Sequence, residues 1–333
     1  MQIVFLTPDK YEEWNKFCLE NDEAWFWHTT DWIEYTLNFK PELNTQNLSF
    51  LVYKGDVLKA VVLLTLETHQ YSAQKIKELS FGGWFIPLPA LANGLSTDER
   101  GEALSFIFEY IDRLASQHKV VRSRFRGSPL APNFWGSCPS GNPLIEFGYL
   151  DTSLNTLIID LNKSEEELWN DLRRNHRRNI NKGEGFKINF YTQTNITSEI
   201  FRAYKEMHHK AAGRQTRPDK TFELMYEWLT KDLAFLVVAE LDKKLIGFEY
   251  YSVYKNNVYG FSAANDPDYA NLPIRHSIEW QAILWMKKRS FYFYEIGLQQ
   301  YGNLLHDFPD KKQLNISHFK KGFGGGNCAT VYG

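Results

Sequence analysis

The stretch "ISHFKKGFGGG", residues 316–326, sets two lysines between an aromatic ring and a run of glycines. Phe319 and Phe323 are four residues apart, so on a helical turn both rings pack inward while Lys320 or Lys321 points elsewhere. An ammonium anchored between packed rings is better placed to neutralise negative charge than one on a free tail. The order of residues excludes a phosphate loop of the GxxxxGK[ST] kind, because here the glycines follow the lysines. Gly322, Gly324, Gly325 and Gly326 permit close backbone approach instead.

Two basic segments come next. In "LRRNHRRN", residues 172–179, Arg173 and Arg177 share one helix face, and Arg174 and Arg178 share the neighbouring one. Cations favour helix C-termini in any case, but this run exceeds what the dipole requires, and planar guanidinium forks match phosphate. The run therefore reads as a phosphate or RNA-backbone contact. In "GRQTRPDKTFELMYEWL", residues 213–229, Arg214 and Arg217 precede an aromatic-rich helix that Asp219 or Thr221 could cap. From spacing alone, that segment is a charged connection. His208 and His209 are adjacent and do not form the i, i+4 pair of a zinc helix, Asp266 and Asp268 read as turn residues, and Cys328 has no base nearby in sequence. GxSxG, GxGxxG and HExxH are absent, which leaves hydrolase, dehydrogenase and zinc-protease readings without support; no metal and no cofactor is expected.

The chain has 333 residues, of which 43% are hydrophobic, enough for two domains with proper cores. Its 24 Phe, 18 Tyr and 10 Trp can fill cores or line clefts. A net charge of -2 gives no whole-protein attraction to polyanions, so any such binding must come from local clusters. Cys18, Cys138 and Cys328 are odd in number and far apart, which fits a reducing compartment and rules out a CxxC site. The start lacks a signal-peptide run and no stretch is apolar enough to span a bilayer, so a cytoplasmic protein without a membrane span is expected.

The same order of elements occurs twice. "SFLVYKGDVLKAVVLLTLE" reads as two strands around a Lys-Gly-Asp turn, "LSFGGWFIPLPALANG" as a loop, "TDERGEALSFIFEYIDRLASQHK" as a helix with Leu104, Ile107, Phe108, Ile111 and Leu114 on one face, and "VVRSRFRG" as a strand. In the second half "AFLVVAELDKKLIGFEYYSVY" is a pair of strands around Asp242-Lys243-Lys244, "NVYGFSAAN" a strand, "LPIRHSIEWQAILWMKKR" a helix and "FYFYEIG" a strand. Between them, "NKSEEELWNDLRRNHRRNINKG" reads as one helix, opened by a Ser164/Glu167 capping box and stopped by Gly183, with Leu168, Leu172 and Ile180 as a narrow apolar stripe. Two α/β domains of related layout follow, residues 1–150 and 151–333.

Taken in order, "FWHTTDWIEY", "LSFGGWFIPLPA", the Arg-rich helix, "GRQTRPDKTFELMYEWL" and "YFYEIGLQQYGNLLHDFPDKKQLNISHFKKGFGG" resemble the FemAB/FemX-like aminoacyltransferases, within the acyltransferases built from two GNAT-like domains. The resemblance implies an α/β fold of two GNAT-like domains, each a mixed, mostly antiparallel central sheet flanked by helices. It implies transfer of an acyl group from an activated ester or thioester, aminoacyl-tRNA in Fem-type enzymes, to a polar amine, such as that of a UDP-linked or lipid-linked cell-wall precursor. Carried over, the family's catalytic Phe-Lys falls on Phe319 and Lys320, its phosphate-holding arginine on Arg217 with Arg214 as neighbour, and its Arg-rich helix on Arg174 and Arg178; Tyr301 joins the substrate-binding set. Glu295 and Asp307 are candidate general bases. The glycine-bearing pyrophosphate loop of ordinary GNAT enzymes is missing, since "ANDPDYANLPIRHS" holds no glycine, which argues against acetyl-CoA. An N-acyltransferase using a thioester donor on an amino sugar, and a non-catalytic RNA- or partner-binding scaffold, are the alternatives.

Overall fold

A computed structural model describes residues 1–71, 74–133, 142–304 and 306–333. Cys138 lies outside these. The chain divides into two units, one of Met1–Ser153 with Thr330–Gly333 and one of Leu154–Ala329. Among the described residues no helix is long and apolar enough to cross a membrane.

The first unit contains β1 (Gln2–Phe5), β2 (Gln46–Asn47), β3 (Phe50–Lys54), β4 (Val57–Val62), β5 (Thr65–Tyr71), β6 (Gln74–Leu79), β7 (Ile86–Pro87), β8 (Ala90–Leu91), β9 (Val120–Ser123) and β10 (Phe125–Arg126), with helices α1 (Tyr11–Glu20), α2 (Thr30–Phe39) and α3 (Thr97–His118). Two four-stranded sheets have the orders β1-β3-β4-β8 and β2-β5-β6-β9, and β10 pairs with β7. The turn between β3 and β4 falls where the Lys-Gly-Asp signal put it, with Lys54 opposite Val57. Two expectations need correction. The Gly- and Pro-punctuated stretch read as a loop contains β7 and β8, and "VVRSRFRG" is two short strands, because β9 joins β6 while β10 leaves to join β7.

"FWHTTDWIEY" builds core here. The Thr29 hydroxyl accepts from the Trp32 N–H at 3.3 Å and so caps α2. Behind it Trp25, Trp27 and Trp32 meet edge to face, and Trp32 stacks on Tyr35 at 5.1 Å. "SFGGW" is shaped from within by Glu67. Its buried carboxylate accepts from the N–H groups of Gly82 and Gly83, from the Ser80 hydroxyl at 2.6 Å, and faces His69 Nε2 at 3.1 Å.

The second unit is one seven-stranded sheet of β11 (Leu154–Asp160), β12 (Lys187–Tyr191), β13 (Ala234–Leu241), β14 (Lys244–Tyr254), β15 (Asn257–Asn265), β16 (Phe293–Gln299) and β17 (Gly326–Thr330), in the order β12-β13-β14-β15-β16-β11-β17. Its helices are α4 (Glu165–Asp171), α5 (Arg174–Lys182), α6 (Ser198–Ala212), α7 (Asp219–Thr230), α8 (Ile274–Lys288) and α9 (Lys311–Lys320). β12 to β15 are antiparallel neighbours, with hairpins joining β13 to β14 and β14 to β15; β15 and β16 are parallel and pair only from Asn257–Tyr259 to Phe293–Glu295. Beyond that register no pairing between them occurs among the described residues, so the sheet opens at the ends of these two strands. Tyr204 of α6 and Phe222 of α7 pack with Phe248, Tyr250 and Phe261 around one face. Ile274, Ile278, Ile283 and Met286 of α8 bury the other, against Phe235, Val237 and Tyr251.

The Arg-rich helix is two helices. The Ser164/Glu167 capping box is present, and Leu168, Leu172 and Ile180 are buried. Leu172 and Arg173, however, are extended, with ψ of 137° and 144°. Here the Arg173 N–H leaves the helical ladder for the Gly322 carbonyl at 2.9 Å. Arg177 closes the break, its guanidinium donating to the Trp169 and Asn170 carbonyls at 3.4 and 3.5 Å. The arginines thus stand at the start of α5, not at a helix C-terminus, and the dipole does not favour them there. The cap of α7 also differs from expectation. Pro218 precedes the helix without a side-chain cap, and the Thr221 hydroxyl donates back to the Pro218 carbonyl at 2.6 Å.

Candidate functional site

Lys320 is the last residue of α9, and its side chain runs across to β16. A Cβ built on Gly297 would stand 2.6 Å from the Lys320 Nζ, so the amine lies directly on that glycine's α-carbon. Gly297 has φ of +111°, a conformation closed to residues with side chains, and lies beside a bulge where β11 and β16 shift register. Burial pulls the Lys320 pKa below that of an ordinary lysine, aided by the Arg275 charge, while the carboxylates of Glu279, Glu295 and Glu249 act the other way. No hydrogen bond or ion pair holds the Nζ among the described residues. Lys320 is half-buried, so its amine is partly desolvated, positioned and open to a partner.

Gly297→Ala is therefore expected to disturb both seat and strand. Forcing a non-glycine residue into this backbone region costs about 1–3 kcal/mol, and for a unit the size of Leu154–Ala329 that lowers its Tm by roughly 2–4 °C per kcal/mol. Thermal unfolding checks it; an unchanged Tm means the strand tolerates the side chain.

Phe319 anchors the end of α9. Its ring meets Phe323 at 5.2 Å and the imidazoles of His176 and His276 at 5.4 and 5.0 Å. The glycine tail serves close packing: a Cβ on Gly324 would run into Asp171, and one on Gly325 into the Ile158 backbone. Lys321 points away from Lys320's seat and lies over the exposed Tyr301 ring at 5.0 Å. Tyr301 also donates to Asn327 Oδ1 at 2.9 Å, and it lines a 400 Å³ cavity with Arg173, Gln299, His318 and Lys321.

Of the candidate bases, Glu295 is buried on β16, accepts from the Thr156 hydroxyl at 2.7 Å, and is close enough to act on Lys320. Asp307 accepts from Gln300 Nε2 at 2.7 Å and is not among the leading charges acting on Lys320. Arg217 belongs to another cluster, at β15. Its guanidinium covers Phe222 and Phe261 at 5.4 and 5.8 Å and reaches the Ser262 hydroxyl at 3.4 Å. His208 beside it, between Ser262 Oγ and Thr216 Oγ1, is pushed down to about 4 by burial and by the Arg217 charge, so Arg217 is the cation there at neutral pH. Arg214, Arg174 and Arg178 are exposed, and Arg178 donates to Asn175 Oδ1 at 2.8 Å. The structure thus groups Lys320, Phe319 and Glu295, sets Arg217 in its own cluster, and leaves the other three arginines on the surface.

Sequence reasoning missed an ionic cluster behind Lys320. Arg275 donates to Glu249 at 2.8 Å and Glu279 at 2.9 Å, and the Tyr294 hydroxyl donates to Glu279 at 2.8 Å. Burial, with Glu279 alongside, raises the Glu249 pKa well above the usual carboxylate range although Arg275 opposes it. The signal was in the sequence: Glu249 interrupts the apolar run "LIGFEYYSV", and Arg275 and Glu279 stand four apart in a helix otherwise apolar on that face. Asp266 and Asp268 do lie in the turn before α8, where both bind Lys210, at 2.6 and 2.7 Å.

Residues 170–307 match the family model Acetyltransf_6, described as an acetyltransferase (GNAT) domain. No curated protein sequence matches the chain. Among solved structures the chain is similar to FemX, at 13% identity and a TM-score of 0.65 over 100% of this chain and 97% of that one. It is similar to L-PGS from Bacillus licheniformis, at 11% identity and 0.53 over 98% and 90%. A tandem GNAT protein from the clavulanic acid biosynthesis pathway follows, at 11% identity and 0.51 over 99% and 97%. Identities this low speak to fold alone, and the fold is the mixed α/β, double GNAT-like one that the family resemblance implied.

Proposed function

From a chain of double GNAT-like fold with an acyltransferase domain over residues 170–307, we propose that the protein transfers an aminoacyl group from a charged tRNA to an amine of a cell-envelope precursor. Lys320 stabilises the tetrahedral oxyanion. The observation that carries this reading is the seat of Lys320: an amine without a partner among the described residues, half-buried on Gly297 at the edge where β15 and β16 part.

Aminolysis of an ester forms a C–N bond to the carbonyl carbon, places negative charge on the carbonyl oxygen, and then breaks the bond to the leaving ribose oxygen. A preorganised cation aimed at that oxygen strengthens as charge develops and needs no reorganisation. An α-amine of pKa about 8 is already partly neutral near pH 7, so holding it in line supplies much of the acceleration without a strong protein base. Arg217, propped by two rings, is suited to hold an acceptor phosphate. The turn before α8 supports a carrier other than acetyl-CoA, because Asp266 and Asp268 stand where an ordinary GNAT loop offers backbone N–H groups to pyrophosphate. The resemblance to Fem-type enzymes and the likeness in fold to FemX point the same way. The match to an acetyltransferase domain keeps a thioester-dependent N-acyltransferase as the second reading.

A donor screen by mass spectrometry separates them, with charged tRNAs against acyl-thioesters and with UDP-linked muropeptides and amino sugars as acceptors. The expected outcome is an aminoacylated acceptor whose formation RNase abolishes. Thioester-dependent turnover indifferent to RNase replaces the first reading by the second, and salt-dependent RNA binding without turnover removes both.

A further inference from the structure

His176 sits in the middle of the arginine run, yet it is the one member that turns fully inward. Its Nε2 lies 2.9 Å from the carbonyl oxygen of Phe319, the residue before Lys320. A carbonyl only accepts, so Nε2 carries the proton. Nδ1 is buried with no hydrogen-bond partner among the described residues. A second proton there would be stranded, with the Arg173 and His318 charges close by. His176 is accordingly shifted toward the neutral form, chiefly by burial, which outweighs the opposite pull of its hydrogen bond to the Phe319 carbonyl. From α8, His276 meets it at 4.7 Å and is itself pushed down to about 4. Phe323 closes the other edge at 4.7 Å.

Two further contacts bind the same two pieces of chain. The Arg173 N–H donates to the Gly322 carbonyl, and Arg173 Nη1 donates to the His318 carbonyl at 3.1 Å. The imidazole occupies the space that a side chain on residue 322 would need, so Gly322 is where the tail admits the ring. Apart from the His276 ring, every contact named lands within residues 318–323, the segment from which the Lys320 side chain departs. At that point α9 passes into a 3-10 turn over Lys321–Phe323, where the Lys321 N–H turns back to the Ser317 and Phe319 carbonyls, so the imidazole adds a side-chain donor to a helix end that the backbone alone would close. An unpartnered buried ring nitrogen is costly, and here it accompanies a bond that fixes the backbone beside the amine.

We propose that His176 is a positioning residue: as the neutral Nε2–H tautomer it latches the Phe319 carbonyl, fixes the end of α9, and thereby seats the Lys320 amine on Gly297. The inference rests on the role proposed above for Lys320, but its test needs no substrate. In the full chain, His176→Phe keeps the ring and loses the donor, whereas His176→Gln places an amide N–H close to where Nε2 stood. Amide hydrogen exchange of residues 317–323 is expected to quicken about tenfold in His176→Phe, as the loss of one buried hydrogen bond predicts. The change is confined to that segment. Trace labelling with acetic anhydride across pH is expected to show the Lys320 midpoint rising toward that of an ordinary lysine in His176→Phe, with Lys321 unmoved. His176→Gln restores both readouts. Exchange and midpoint unaltered in His176→Phe, or His176→Gln behaving like His176→Phe, overturns the latch. Should His176→Phe fail to fold, His176→Asn, whose shorter amide cannot reach Phe319, takes its place against His176→Gln under the same criteria. A latch that fails while tRNA-dependent transfer is found leaves the functional reading intact; a latch that holds while no donor supports transfer removes that reading alone.

Discussion

Lys320→Ala is expected to fold as the wild type does and to lose about 10²–10³ in kcat, since one donor aimed at an oxyanion is worth about 2.7–4 kcal/mol. The two halves of this expectation have separate grounds. Folding survives because a lysine whose pKa is lowered by burial gains nothing from being charged in the folded state, and the Nζ makes no hydrogen bond among the described residues. Catalysis is expected to fail because the cations nearest in the chain or in charge are occupied: Lys321 is drawn over Tyr301, and Arg275 is engaged by two carboxylates. KM should move little, as the interaction belongs to the transition state. The pH dependence has a definite sign. The cation is lost as pH rises through the folded-state pKa, and that pKa lies below the usual 10.4 or so. The alkaline limb of kcat thus begins earlier than for a solvent-exposed lysine. Steady-state kinetics with the donor identified by the screen decides the matter, with circular dichroism as the folding control. A kcat for Lys320→Ala within twofold of wild type ends the oxyanion assignment. The same measurement on Lys321→Ala should give a near-normal kcat.

Arg275→Met is expected to be the most destabilising single change near the site. The side chains of Glu249 and Glu279 keep only 4% and 1% of their exposure, and Arg275 bridges them. Removing the bridge leaves two carboxylates facing each other away from water, a change of about 3–5 kcal/mol for buried pairs. Because the Arg275 side chain as a whole retains 25% exposure, the lower end applies, about 3 kcal/mol. That corresponds to a fall in Tm of roughly 6–12 °C. Adding Glu249→Gln should recover much of the loss, because a neutral amide no longer repels Glu279. Calorimetry of the single and double variants tests the claim, and a double variant no more stable than Arg275→Met contradicts it. The cluster also bears on catalysis: the Glu279 and Glu249 charges favour the ammonium of Lys320 while burial opposes it, so the two effects together set its protonation.

The pieces of this protein that local rules govern could be read directly. The hairpin at Asp242-Lys243 closes with both residues at positive φ, the helix over Ile274–Lys288 and the strand over Phe293–Gln299 follow from apolar spacing, and the Ser164/Glu167 box opens α4. Each depends on residues within a few positions of one another, and a linear pattern contains that information. The break after Leu172 was not legible. The pattern of Leu168, Leu172 and Ile180 fits a continuous helix, and what ends it is a carbonyl 149 positions further on, that of Gly322.

The candidate site shows the same division. Residue types alone made "HFKKGFGGG" suggestive, and the charged residues inside apolar runs, Glu249 and Glu279, were visible as anomalies. Which lysine is seated, what it rests on, and why the glycines are there became evident only once the chain had closed on itself. Lys320 and not Lys321 reaches Gly297; Gly322 makes room for His176, Gly324 for Asp171 and Gly325 for the Ile158 backbone. These are contacts of exclusion and charge between segments remote in sequence. Hydrophobic period and helix caps are properties of neighbouring residues, so the chain states them by itself. The environment of a buried amine depends on everything folded around it, and only the tertiary structure decides that.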